Sequence, residues 1–576
     1  MRNRRLPVVT GCLVAAVLAA VVAGCSGGGS PAVAPAPPEE PVGPPLFEDV
    51  TAASGVAFTY KNGEEAGNFA IIESLGGGAA LLDYDGDGLL DVFLPGGGHY
   101  RDKAVLGHPC KLYRNLGGFK FEDVTAKAGL DPVNFQYSHG AAAFDYDRDG
   151  RPDLLVTGYS RLVLLHNDGN GRFTDVTAKA GLTDKLWSAS AGWGDLDGDG
   201  FPEVYVTHYG DWGFDTNHPT DCTYDGKTRD VCQPRRFKAL PHTLYRNNGN
   251  GTFADISATQ NLRTDGKGLG VLVTDLNNDG RPDVYVANDT DDNFLYVNRG
   301  KAGGPVDLKE GGLFSGMARD DRGMANGSMG LDAADFNRTG LASVVVTNYE
   351  NELPALYRNR SVGTKEQFTY DTLPSGLAVV GGSYVSWGTG FFDYDLDGWD
   401  DLMIVSGHAI RFPTKIDRRQ TPLLLRNEAG KFKPVTRQGG PYFRSPHNAR
   451  GLAVGDLDND GRPDLVVSHL NEPVSVLRNV AGGKNWLGLV LAGEKNRDVV
   501  GARVVVTSAG GTQTKFAKGG GSFASTCDPR LLVGLGADTA VTGVTVHWPS
   551  GKAQEFSGVT PGAYWVLTEN GEAKRR

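Results

Sequence analysis

The chain is poor in the features that define most large protein classes. After residue 25 no stretch repeats its apolar residues at helical spacing over a useful length, which excludes a helical bundle. Its one long apolar run, Cys12 to Val22, is too short for a secure membrane span. There is no basic stripe to track a phosphate backbone, so nucleic acid is not an expected partner. Neither a nucleophile elbow nor a zinc-type pair of histidines occurs. Cysteine is scarce, with six in 576 residues, and two of them fall within the first 25.

What is present is a repeat. Seven times a short acidic loop recurs, most clearly as Asp145-Tyr-Asp147-Arg-Asp149-Gly150-Arg-Pro-Asp153. The others start at Asp83, Asp195, Asp275, Asp335, Asp393 and Asp456. Each loop follows a run of small apolar residues and leads into a short β-branched stretch. Around it lie a Phe-x-Asp-Val-Thr element and a Leu-Tyr-Arg-Asn element. Period-2 alternation with Gly, Asn and Asp punctuation marks strands, about four per unit. Seven such units predict an all-β, seven-bladed propeller. The Phe-x-Asp-Val-Thr element appears at Phe47, ahead of the first loop, and is missing after Asn479. The N-terminal strand is therefore expected to complete the last blade, pairing two edges that would otherwise stay open.

Six loops place oxygen donors at positions 1, 3, 5 and 9 with Gly at position 6. They are Asp83, Asp85, Asp87 and Asp91; Asp145, Asp147, Asp149 and Asp153; Asp195, Asp197, Asp199 and Glu203; Asp275, Asn277, Asp279 and Asp283; Asp393, Asp395, Asp397 and Asp401; and Asp456, Asp458, Asp460 and Asp464. Hard oxygens in this number suit Ca²⁺. An EF-hand needs a bidentate Glu at position 12, where this chain has Leu94, Val156, Val206, Val286, Ile404 and Val467. The expectation is about six Ca²⁺ ions, mainly structural, on strand-loop-strand hairpins. The seventh loop, Asp335-Phe-Asn337-Arg-Thr339-Gly340, keeps one carboxylate and is expected to bind Ca²⁺ weakly or not at all.

Arg2, Arg4 and Arg5, the apolar run and Val22-Ala23-Gly24-Cys25 look like a bacterial lipoprotein signal (residues 1–24) with Cys25 as the lipidated residue. Position 26 is Ser, not an inner-membrane-retaining Asp, so the outer membrane or cell surface is the expected location. Residues 25–45, rich in Gly, Ser, Pro and Ala, read as a flexible tether to a propeller over 46–480. The lipid is the only membrane contact expected. In an oxidising compartment Cys222 and Cys232, both in the long insertion 209–241, are expected to pair, and Cys110 with Cys527.

Beyond Asn479 the acidic loops stop, and residues 481–570 read as a separate small β-sandwich hanging from the last blade, with a polar tail at 571–576. Asn496-Arg-Asp498, Gly501-Ala-Arg, Gly520-Gly-Ser522, Asp528-Pro-Arg530, Gly534-Leu-Gly536 and Trp548-Pro-Ser-Gly551 resemble the ASPIC/UnbV domain, and the acidic loops resemble FG-GAP/VCBS repeats. The combination resembles the bacterial homologues of cartilage acidic protein. That resemblance implies an extracellular calcium-stabilised scaffold and no defined reaction.

Chain direction places one group of residues on the face opposite the acidic loops. Glu73, His139, His208, Asp289, His408, His447, Arg450 and His469 form the candidate ligand face, with segment 209–241 over it as a lid. The function expected is a binding or adhesion scaffold for an extracellular glycan or protein. The alternatives are a calcium-dependent polysaccharide lyase or hydrolase using the histidines, and an assembly protein docking through its C-terminal domain.

Overall fold

In the computed structural model, which describes residues 43–363 and 365–576, the chain is almost entirely β. The signal, Cys25 and most of the tether lie outside the described residues. Among those described, seven antiparallel sheets follow the seven repeats, six of four strands and the fourth extended to five by Gly519–Gly520. In the second, Tyr137–Phe144, Asp153–Tyr159, Val163–Gly169 and Arg172–Asp175 pair in chain order. The seventh consists of Ala449–Gly455, Asp464–His469, Ser475–Asn479 and, as its outer strand, Phe47–Asp49, whose register sets Phe47 opposite Asn479. The innermost strand of each sheet packs on that of the next, and the last on the first, in a propeller-like ring.

The asparagine of each Leu-Tyr-Arg-Asn element stitches this ring. Its side-chain amide donates to a carbonyl in the acidic loop of the preceding sheet: Asn167 to Tyr84, Asn247 to Tyr146, Asn298 to Leu196, Asn359 to Leu276, Asn427 to Phe336 and Asn479 to Tyr394. Asn115 donates to Leu457 O at 2.8 Å and closes the series from the first sheet to the seventh. All seven are buried, so each bond satisfies a carbonyl that water does not reach.

The C-terminal residues form two four-stranded sheets, packed through Leu487, Val504, Val533, Val546, Trp548 and Leu567. The expected sandwich is present, with two corrections. Its tail is not loose: Ala573–Arg575 is an edge strand, and Arg576 reaches Asp83 at 2.9 Å. Nor does the module hang from the seventh sheet alone. It sits on the acidic-loop face and inserts segment 517–528 as a finger into the axis of the ring. There Gly520 pairs with Leu272, Ser522 with Leu331 and Thr526 with Ala80. Ala524 bonds Ser190 Oγ and Ala141 N, Phe523 packs edge-on to Trp387 at 4.9 Å, and Asp528 N donates to Val454 O. Inner strands of all seven sheets are thus touched. Small residues on both the ring and the finger make room for this approach: a Cβ on Gly78 would lie 1.7 Å from Ala524 O, and one on Gly519 of the finger 1.8 Å from Trp193 O.

The two remaining cysteines lie at opposite ends of the ring, and the expected Cys110–Cys527 bridge does not form; both are free. Cys110 is buried beside Ser138 Oγ at the end of the ring away from the acidic loops. Cys527 accepts from Val454 N at the acidic-loop end.

Candidate functional site

The acidic loops share one internal geometry. In the second, Asp145 accepts the N–H groups of Asp149 and Gly150, and Asp147 and Asp149 cap the following turns. The position-9 residue is fully buried and holds the hairpin: Asp153 accepts from Tyr146 N at 3.2 Å and Asn167 N at 2.7 Å. Burial pushes the Asp153 carboxyl up to about 9 and Asp91 to about 8; Asp283, Asp401, Asp464 and Glu203 rise well above the usual range for the same cause. Carboxylate oxygens of Asp83, Asp85 and Asp91, of Asp145, Asp147 and Asp149, and of Asp195, Asp197 and Asp199 lie within 4.8 Å of one another. Asp83 Oδ1, Asp195 Oδ1 and Asp458 Oδ1 are buried and take no hydrogen bond. This convergent hard-oxygen set, with unspent buried oxygens, fits a Ca²⁺ ion in chemistry and donor number. Part of the charge is met from within: Arg114 contacts Asp85 and Asp87, and Arg426 contacts Asp395 and Asp397.

The loop at Asp335 differs in the expected direction. Thr339 Oγ1 and the Asn337 amide replace carboxylates and bond within the loop. Arg338 turns outward over the Trp399 ring and donates to Gly398 O and Gly510 O.

The ASPIC-like motif residues meet these same loops. Asn496 donates to Arg148 O, Asp498 accepts from Asp195 N, and Arg530 donates to Asp456 O and Asn459. Tyr564 hydroxyl donates to Asp456 Oδ2 at 2.7 Å.

At the opposite end of the ring lies a cavity of about 430 Å³. Its apolar floor includes Ile71, Leu75, Met329 and Trp387, and Phe523 of the finger supports Trp387 from below. Tyr209, Tyr224 and Tyr349 line its sides, with Asp289, Glu350, Glu352, His408, Arg235 and Lys415 as charged or titratable groups. Segment 209–241 covers it, and the Cys222–Cys232 disulfide is formed there. Asp230 on that segment accepts from Arg411 N and Phe412 N, which ties it to the sixth sheet across the mouth.

Of the candidate face, the structure brings Asp289 and His408 to this cavity, with Glu73 just behind Ser74. Glu73 is buried and ion-paired with Arg411; burial nevertheless raises its carboxyl to about 7. The histidines do not converge. His139 is a satisfied core residue, with Nε2 accepting from Trp187 Nε1 and Nδ1 facing Gly76 O. His208 sits between Asp184 Oδ2 and Pro241 O, both at 2.6 Å. His447 and His469 stack on each other and on Tyr442. Their ring nitrogens are taken by nearer partners: the Trp187 indole and Gly76 O for His139, Asp184 and Pro241 O for His208, and Tyr442 and Pro473 O for His469. Arg450 is likewise spent. It is fully buried, donates to Ser74 O, Gly407 O, Ala449 O, His408 O and Asn448 Oδ1, and lies 4.2 Å from the Trp387 ring centre.

Sequence reasoning passed over Ser74, Thr290, Glu352 and segment 409–415, all in the cavity wall. One signal was available. Sixteen residues separate the strand ending at Ser406 from the one starting at Leu423, where the second sheet has three between Tyr159 and Val163.

Comparison with known proteins matches the FG-GAP-like repeat model at 83–156, 145–206, 241–286, 275–346 and 393–467, and the ASPIC and UnbV model at 492–574. Cartilage acidic protein 1 of Xenopus tropicalis is 24% identical over 503 residues, covering 82% of this chain and 70% of that protein. The Mus musculus protein of the same name is 26% identical over 483 residues, covering 72% and 71%. Among solved structures, an Agrocybe aegerita lectin that recognises non-reducing terminal N-acetylglucosamine aligns at a TM-score of 0.36 and 17% identity, over 69% of this chain and 87% of the lectin.

Proposed function

The chain belongs to the FG-GAP-repeat family, here with a C-terminal ASPIC and UnbV domain, and from that premise we propose that it is an exported, lipid-anchored scaffold that binds an extracellular ligand. In this reading Cys25 carries the lipid, about six Ca²⁺ ions clamp the acidic hairpins, and the ligand occupies the cavity under segment 209–241. The cavity carries the proposal: it pairs an aromatic wall with carboxylates and a disulfide-braced cover, the combination expected of a small-molecule site. Ca²⁺ would supply positive charge to the loops, while the chain's own position-9 carboxylates orient the hairpins, each aspartate through two backbone N–H groups and Glu203 through three.

A docking role for the C-terminal domain is less favoured, because its motif residues Asn496, Asp498 and Arg530 are consumed by contacts with the ring. A hydrolytic role keeps one support. A side-chain carbon at Gly327 would lie 3.2 Å from Asp289 Oδ1 and 3.6 Å from Glu352 Oε2, so two carboxylates face the same small region of the cavity.

The test is a thermal-shift screen of the purified full chain against saccharides, amino acids, nucleosides and polyamines. A shift lost in Tyr349→Ala but kept in the surface variant Lys103→Ala supports the reading; no shift from any class refutes it. Anchoring is tested separately: Cys25→Ser should move the protein out of the membrane fraction, and its retention after a salt wash would count against lipidation.

A further inference from the structure

Within the cavity, the polar groups left without partners are of a particular kind. Ser74 Oγ and Thr290 Oγ1 are both out of solvent, and neither makes a hydrogen bond. Ser74 as a residue is only 5% exposed. Both belong to the lining of the same cavity as Asp289 and Glu352. Glu352 is held by the N–H groups of Gly327 and Tyr349 through Oε2, which leaves Oε1 for another donor. Asp289 is held by the Tyr209 hydroxyl through Oδ2, which leaves Oδ1 on the Gly327 side. A buried hydroxyl without a partner costs free energy, and here two hydroxyls and two free carboxylate oxygens share one space.

We infer that the cavity is a carbohydrate site, taking a neutral saccharide whose vicinal hydroxyls donate to Asp289 Oδ1 and Glu352 Oε1 and exchange hydrogen bonds with Ser74 and Thr290. This rests on the ligand-binding reading above and narrows it. A sugar hydroxyl both donates and accepts, so it can satisfy carboxylate oxygens and side-chain hydroxyls together. An ammonium ligand would leave the two hydroxyls without acceptors of their own, and a carboxylate ligand would face Asp289, Glu350 and Glu352 with Arg235 and Lys415 alone to offset them. The apolar face of a pyranose has a surface to lie on in the partly exposed Tyr224 and Tyr349. The cavity volume, about 430 Å³, lies in the range of sites for small ligands and is small for a folded partner.

The experiment is a printed array of neutral and acidic glycans probed with the full chain in detergent, followed by calorimetry with the best neutral saccharide. Glu352→Gln, Ser74→Ala and Thr290→Val, each close to isosteric, should weaken binding at least tenfold while melting within a few degrees of wild type. Should one variant fail to fold, the other two carry the test. Binding of a neutral saccharide unaffected by all folded variants would overturn the inference, as would the absence of any saccharide binding. If saccharides fail while an amino acid, nucleoside or polyamine gives a shift lost in Tyr349→Ala, the carbohydrate inference falls and the ligand-binding reading stands. If no class binds, both fall.

Discussion

The asparagine that closes the ring offers the sharpest quantitative test. Asn115 is fully buried and its amide makes two donor bonds, to Leu90 O at 3.0 Å and Leu457 O at 2.8 Å. Its Oδ1 accepts from Gly117 N at 2.9 Å, where the receiving turn is partly exposed and water can substitute. Asn115→Ala strands the two carbonyls. Each buried acceptor left unpaired costs about 1–3 kcal/mol, so the loss is about 2–6 kcal/mol. The assay is urea unfolding followed by tryptophan fluorescence, comparing midpoints at equal slope. Asn248→Ala is the control, because its amide bonds Thr252 on the exposed surface and should cost under about 0.5 kcal/mol. If Asn115→Ala unfolds within about 0.5 kcal/mol of wild type, the stitching argument is wrong.

Four further outcomes are expected. Chelation should lower the melting temperature by many degrees, since cations that bind only the folded state stabilise it by mass action; Asp145→Ala should cost more than Asp335→Ala, and equal effects would refute the distinction between the loops. Glu352 has its carboxyl raised to about 7, by burial first; its stabilising protonated form is complete below the unfolded value near 4.5 and lost as pH rises through 7. Glu352→Gln should therefore match wild type at pH 4 and exceed it by about 1–3 kcal/mol at pH 8, and a pH-independent difference in urea unfolding would contradict this. The Cys222–Cys232 bridge closes a loop of sequence separation 10, so Cys222→Ser/Cys232→Ser should lose about 2.5–3 kcal/mol in the same assay, provided the segment unfolds with the ring. Burial pushes the Cys110 thiol up to about 12 and Cys527 to about 11; mass spectrometry should find the buried Cys110 alkylated only after unfolding and the half-buried Cys527 labelled more slowly than an exposed thiol, and rapid labelling of Cys110 in the native protein would count against its placement.

The repeat made the sheets legible because each unit carries its own loop chemistry and strand alternation, and the displaced Phe47 element showed how the seventh sheet is completed. Chain direction put Asp289 and His408 at the end of the ring opposite the acidic loops, where both line the cavity, and the long interval before Leu244 marked the segment that covers it. The finger was not legible. Gly519-Gly-Gly-Ser522 has no periodicity, and its partners, such as Leu272 and Leu331, lie hundreds of residues upstream. The histidines misled for a related reason. Facing the same end of a ring does not bring side chains together when each has a nearer partner, as His139 has in Trp187 and His208 in Asp184. The pairing that matters at the cavity, Asp289 with Glu352 across Gly327, depends on strand register between neighbouring sheets, which no local pattern encodes.

The pairing of Phe47–Asp49 with Ser475–Asn479 sets a temporal order on assembly. The first described strand emerges from the ribosome before any other, yet its hydrogen-bonding partner is among the last of the ring to be made. Six sheets can form from consecutive strands as they appear, while the seventh waits. The finger is synthesised later still, and the glycine-lined axis has no filling until it arrives. A chain interrupted near residue 480 would hold a ring without its axial packing. Contacts of such long sequence separation slow folding and leave strand edges exposed meanwhile. Completion of this molecule is therefore a late, nearly all-or-none event, and truncated chains should be the ones that proteases remove.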